Sequence, residues 1–219
     1  MTVGPAGRSM PLLEGPDGLL EFITTGSGLP ATVFAHGVDG SIETTRPFGS
    51  GVKGSRTFLH FRGYGASTEG ERPLTYAALE QDLSAVADHV GATQALGVSM
   101  GAGALCSLLA HTPLRFERLV FALPAVLDRP RTDRALDGLE LSAAVPLMDR
   151  AVLGAVSSPA LVIGQEQDPA HPVWVAEQLA ASLPHAYLKV LPPGGILLAH
   201  RRLMRHLIGG FLSGEGRNV

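Results

Sequence analysis

The chain has 219 residues, 45% of them hydrophobic and 17% charged, with 17 Lys and Arg against 20 Asp and Glu for a formal net charge of −3. That length fits one domain with a core that needs no staples. The composition excludes a disordered or fibrous chain, and the slightly acidic balance speaks against a nucleic-acid or polybasic membrane partner.

Residues 1–18 carry scattered Gly and Pro without the apolar stretch of a secretory signal, and read as an N-terminal extension. No run of about 18 apolar residues marks a transmembrane span. The expectation is a cytoplasmic protein. From residue 19 onward, β-rich runs fall at 19–24, 32–35, 57–61, 94–98, 119–123, 160–164 and 187–191. Most are continuously apolar, the pattern of strands covered on both faces. Helical patterns separate them. Tyr76, Leu79, Leu83, Val86 and Val90 recur every three or four residues, with Thr75 placed to cap the start and Gly91 to stop the end. Residues 102–110 read as a buried helix. In 172–183, Val175, Leu179 and Leu183 share one face, and Pro172 suits the first turn. A last helix over about 196–212 carries Leu203, Leu207 and Phe211.

Repeated strand–helix–strand order predicts an α/β domain over 19–212, with a mostly parallel sheet of about seven strands and helices on both faces. One composition shift interrupts the rhythm. Residues 128–158 are charged at first and then patchily apolar, and read as a short insertion over the sheet edge. Residues 213–219 form a tail. The single cysteine, Cys106, lies in the buried helix, where it reads as core; it leaves no disulfide framework, and no metal-ligand cluster is visible.

The most informative segment is Gly97-Val98-Ser99-Met100-Gly101, which matches G-x-S-x-G. It follows an apolar strand and opens a helix rich in small residues. A chain that turns so sharply from strand to helix leaves no room for side chains two residues before and after the serine. The helix N-terminus then aims amide groups at a reacting carbonyl oxygen. Ser99 is the candidate nucleophile.

With this elbow go Phe34-Ala35-His36-Gly37, Phe61-Arg62-Gly63-Tyr64-Gly65-Ala66-Ser67, Asp82-Leu83, Phe116-Glu117-Arg118-Leu119-Val120, and Gly164 through Asp168-Pro169. In that order they resemble the α/β-hydrolase superfamily, specifically its small esterases and lactonases with a reduced cap, over about 19–212. The resemblance implies that the residue after His36-Gly37 and the residue after the nucleophile, Val38 and Met100, donate backbone N–H groups to the oxyanion. His36 and His60 read as structural.

Chain order in such folds is nucleophile, acid, base. Asp168 follows an apolar strand and stands at the family's acid position, with Glu166 and Asp128 in reserve. The family's base directly follows a Gly after the last strand, and here that position is Ile196, which cannot accept a proton. Four histidines follow Asp168. His185 precedes the last strand and belongs to its far end. His206 lies ten positions past Ile196, about 15 Å along a helix. His171 shares a loop with Asp168 and stands in reserve as a ring that could reach, although an acid three residues away has awkward geometry for orienting it. His200, four positions on and roughly 6 Å along a helix, is the expected base if the helix starts late.

The resulting expectation is a serine hydrolase that cleaves a carboxylic ester, lactone or thioester of a small molecule, without cofactor or metal, as a monomer or homodimer. Ile196 motivates the alternatives of an epimerase, lyase or cyclase, or an inert ligand-binding protein, on the same architecture.

Overall fold

A computed structural model describes residues 10–71, 74–128 and 149–215. Eight strands form one sheet in the order β1-β2-β4-β3-β5-β6-β7-β8. They are β1 (Leu12–Gly15), β2 (Gly18–Thr25), β3 (Ala31–Ala35), β4 (Ser55–Leu59), β5 (Gln94–Val98), β6 (Arg118–Ala122), β7 (Ala160–Gln165) and β8 (Ala186–Leu191). β1 pairs antiparallel with β2 and β2 with β4; every pairing from β4 to β8 is parallel. β3 and β7 are buried along their whole length, as their largely apolar sequences require.

Side chains alternate between two apolar layers. On β7, Val162 enters one layer while Leu161 and Ile163 enter the other. The first layer lies under α2 (Tyr76–His89), α3 (Met100–His111) and α4 (Val173–Ser182). The second is covered by the short α1 (Ile42–Thr45), the 3-10 turn Arg46–Gly49 and α5 (Arg201–Leu212). Thr75 caps α2, its Oγ1 accepting from Ala78 N at 3.1 Å, and Gly91 after it has φ 60°. Arg62 is buried and fully engaged. Its Nε lies 2.9 Å from Asp82 Oδ2 on α2, and one Nη 3.0 Å from Asp17, so the loop after β4 is fastened to the helix over the first layer.

The sheet has one strand more than the sequence suggests. β1 lies within the segment read as an extension, so the ordered domain starts before residue 19. It is short, half-exposed and bounded by Gly15, Pro16 and Gly18, which look like turn punctuation. Pro172 stands just before α4 as its cap rather than in its first turn. The last helical stretch is two pieces, a π-turn at Gly195–Ala199 and then α5. Most of the 128–158 insertion lies outside the described residues, as do 1–9, 72–73 and 216–219. Its closing part forms a 3-10 turn, Arg150–Ala155, whose Leu153 is buried in the first layer. Arg150 Nε meets Asp128 Oδ2 at 2.7 Å, which ties together the two ends of the insertion.

Candidate active site

Ser99 stands between β5 and α3 with φ 52° and ψ −110°, a conformation that costs roughly 1–3 kcal/mol for a residue with a Cβ. The flanking glycines make the bend possible. A Cβ on Gly97 would come within 2.6 Å of Ala102 N, and one on Gly101 within 2.7 Å of the Ala35 carbonyl carbon. Both obstacles are backbone, which cannot swing aside. A Cβ on Gly37 would crowd Ser99 Cβ at 3.1 Å, so the loop after β3 lies tightly against the serine. The Ser99 N–H donates to Ala122 O at 2.9 Å, fastening the bend to β6.

The imidazole that meets Ser99 belongs to His171. Its Nε2 lies 2.9 Å from Ser99 Oγ, and its Nδ1 lies 2.9 Å from Asp168 Oδ2. A carboxylate only accepts, so Nδ1 carries the proton and Nε2 is left to accept from the serine hydroxyl. The loop that delivers this ring is built by Asp168 itself. Its Oδ1 accepts from Ala170 N at 3.0 Å and His171 N at 3.2 Å, and its backbone carbonyl also accepts from His171 N. These bonds fold the chain back so that the ring lies over the other carboxylate oxygen. Gln167, with φ 56°, makes the preceding bend.

The structure therefore does not bring the expected base, His200, to Ser99. His200 does sit at the late start of α5, but its Nε2 turns to Pro192 O at 3.0 Å, in its own loop. Ile196 is buried in the second apolar layer. The turn closed by Asp168 meets the objection to His171, an acid only three residues away. The signal in the sequence is Asp168-Pro169-Ala170-His171-Pro172, in which an Asx-turn former is followed by proline. The other reserves are elsewhere. Glu166 is exposed, its N–H bonded to Leu191 O, and Asp128 is held by Arg150.

Two buried histidines shape the wall beside the serine. His36 Nε2 accepts from Phe61 N at 3.1 Å, so Nδ1 carries the proton and donates to Gly37 O at 2.7 Å. Burial lowers its pKa to about 4, so the ring stays neutral. His60 Nε2 accepts from Ile42 N at 2.9 Å and its Nδ1 donates to Glu21 Oε2 at 2.7 Å. Gly65 permits this pair, because a Cβ there would overlap the His60 ring. Val38, the expected first oxyanion donor, is the second residue of a turn closed by Gly40 N to Gly37 O at 3.0 Å, with Asp39 at φ 54°. That turn does not use the Val38 N–H. Met100 opens α3, so its N–H has no acceptor within the helix.

No protein-family model matches the chain, and no curated protein matches it. Solved structures do. An esterase from Exiguobacterium antarcticum aligns with TM-score 0.77 over 93% of this chain and 99% of its own, at 17% identity. Est816, described as an N-acyl homoserine lactone degrading enzyme, aligns with TM-score 0.75 over 92% and 100%, at 18% identity. An alpha/beta hydrolase fold protein from Nakamurella multipartita aligns with TM-score 0.78 over 95% and 100%, at 14% identity.

The chain has the α/β-hydrolase fold.

Within this α/β-hydrolase fold, Ser99 and Asp168 occupy the positions that the resemblance assigned to nucleophile and acid, after β5 and β7. The imidazole comes from the β7 loop instead of the loop after β8. Among the described residues, no group of three or more His, Cys, Asp or Glu is arranged to hold a metal ion. No described helix is long and apolar enough to cross a membrane.

Proposed function

We propose that the protein is a serine hydrolase that cleaves a carboxylic ester, lactone or thioester of a small molecule through an acyl-enzyme on Ser99. The observation that carries this reading is the continuous line Ser99 Oγ, His171 Nε2, His171 Nδ1, Asp168 Oδ2, with 2.9 Å at both junctions. Ser99 Oγ attacks the carbonyl carbon while His171 Nε2 takes its proton. Asp168 keeps the ring in the useful tautomer and stabilises the imidazolium. The carbonyl oxygen, now negative, is held by the N–H groups of Val38 and Met100 at the positive end of α3. The bond to the leaving oxygen or sulfur breaks as His171 returns the proton to it. Water, activated by the same ring, then attacks the acyl carbon, and Ser99 recovers its proton. For a lactone the leaving hydroxyl stays on the acyl chain, and the product is a hydroxy acid.

The esterase and lactone-degrading neighbours support this substrate class by analogy of fold. The reading as an epimerase, lyase or cyclase drew on the missing imidazole at Ile196, and His171 removes that ground.

A fluorophosphonate tests the proposal. Peptide mapping of the treated protein is expected to place one adduct on Ser99, with none in Ser99→Ala. A wild type that resists the reagent, or carries the adduct elsewhere, would overturn it.

A further inference from the structure

The two segments that carry the oxyanion donors are bridged by one side chain, Tyr64, in the loop after β4. Its ring packs edge-on against His36, with centroids 4.6 Å apart. His36 in turn holds the Gly37 carbonyl and so the turn that presents Val38. The Tyr64 hydroxyl donates to Met100 Sδ at 3.9 Å, a weak bond to the first residue of α3. Val38, Tyr64 and Met100 all pack into the first apolar layer. The backbone of Tyr64 is fixed on both sides, its N–H donating to Phe61 O at 3.0 Å and its carbonyl accepting from Ser67 N at 2.9 Å.

We propose that Tyr64 is a positioning residue that sets the spacing of the Val38 and Met100 amides, and that it rests on the hydrolase reading above. An oxyanion hole contributes through donors fixed in advance where charge develops, so a displacement of well under 1 Å weakens the transition state more than the bound substrate. The phenol is well suited to the task. It reaches one donor segment through its ring and the other through its oxygen, and makes no hydrogen bond to Ser99, His171 or Asp168. Asp39 lies close enough that, after burial, its charge also raises the phenol's pKa. Tyr64 therefore stays a neutral phenol. It also borders an open cleft of about 520 Å³ shared with Arg62, Gly63 and Leu74. Truncation there enlarges a cleft without opening a sealed core, so the variant is expected to fold.

The test compares Tyr64→Ala and Tyr64→Phe with wild type, using p-nitrophenyl acetate as substrate and a trifluoromethyl ketone as transition-state mimic. Tyr64→Ala is expected to lower kcat about 10- to 100-fold and weaken the ketone at least tenfold, with KM changed less than about threefold. Tyr64→Phe keeps the ring on His36 and is expected to recover most of kcat. The pH profile of kcat should be unchanged, because the base is untouched. The proposal is overturned if folded Tyr64→Ala keeps kcat within about twofold, or if its loss lies wholly in KM. If Tyr64→Ala does not fold, Tyr64→Leu, which also removes the ring from His36, decides: ketone affinity unchanged from wild type would overturn the proposal. A wild type that neither turns over the ester nor labels at Ser99 defeats the hydrolase reading itself, a result distinct from all of these.

Discussion

At the scale of the residue, the site depends on histidines held in single tautomers. His171 is fixed by a carboxylate, His36 by a backbone donor on one side and a carbonyl on the other. His36 also has a consequence for stability. Its pKa is about 4 in the folded protein against an ordinary 6.5, so the unfolded chain binds the extra proton first. Folded and unfolded states hold the same proton count at this site above about pH 6.5. Below that, stability falls as pH falls, until the folded form also protonates near pH 4. The loss amounts to about 3 kcal/mol over that window. Urea midpoints at pH 7, 5.5 and 4 check this. His36→Asn should have a flatter pH dependence over the same range, and an unchanged slope would assign the effect to other groups.

At the scale of the element, glycines mark where backbones touch. Gly209 and Gly210 lie side by side in α5 yet face different surroundings. A Cβ on Gly209 would stand 2.7 Å from Gly51 O, whereas one on Gly210 meets nothing within 4 Å. Gly210→Ala is therefore expected to stabilise the protein by about 0.5–1 kcal/mol, through helix propensity and a less flexible unfolded chain. Gly209→Ala is expected to destabilise it, since helix and loop must separate. Thermal melts of the two variants should shift in opposite directions, and equal shifts would contradict the packing described here. The same logic made the elbow readable from sequence, because Gly97 and Gly101 flank Ser99 at fixed spacing beside an apolar strand. Seven strands were readable from their apolar runs, which are buried throughout in β3 and β7 and mostly buried in β4, β5 and β6. β1 escaped because four half-exposed residues between turn formers leave no such run. The approach of His171 to Ser99 escaped because it depends on a turn made by hydrogen bonds of Asp168, and proximity in three dimensions at i, i+3 is not a hydrophobic pattern.

At the scale of the molecule, strain gathers at one end of the sheet. The non-glycine residues with left-handed φ among those described are Asp39, Ser99, Leu123 and Gln167. They follow the C-terminal ends of β3, β5, β6 and β7, four adjacent strands. Three of them bend the chain in the loop after β3, at Ser99 and at the loop from Asp168 to His171, and the sheet holds those bends in register. The buried parallel strands thus supply rigidity, and the loops above them carry the Ser99–His171–Asp168 line. Asp168 and His171 meet directly on one loop, three residues apart, while the β8 loop packs through Ile196.

The measurement that bears most directly on this account is steady-state hydrolysis of p-nitrophenyl acetate by His171→Ala and His200→Ala, assayed side by side. Loss of the ring bonded to Ser99 should cost about 10³-fold or more in kcat, while His200→Ala should stay within about twofold of wild type. An active His171→Ala enzyme beside an inactive His200→Ala one would contradict the placement of the base on the β7 loop.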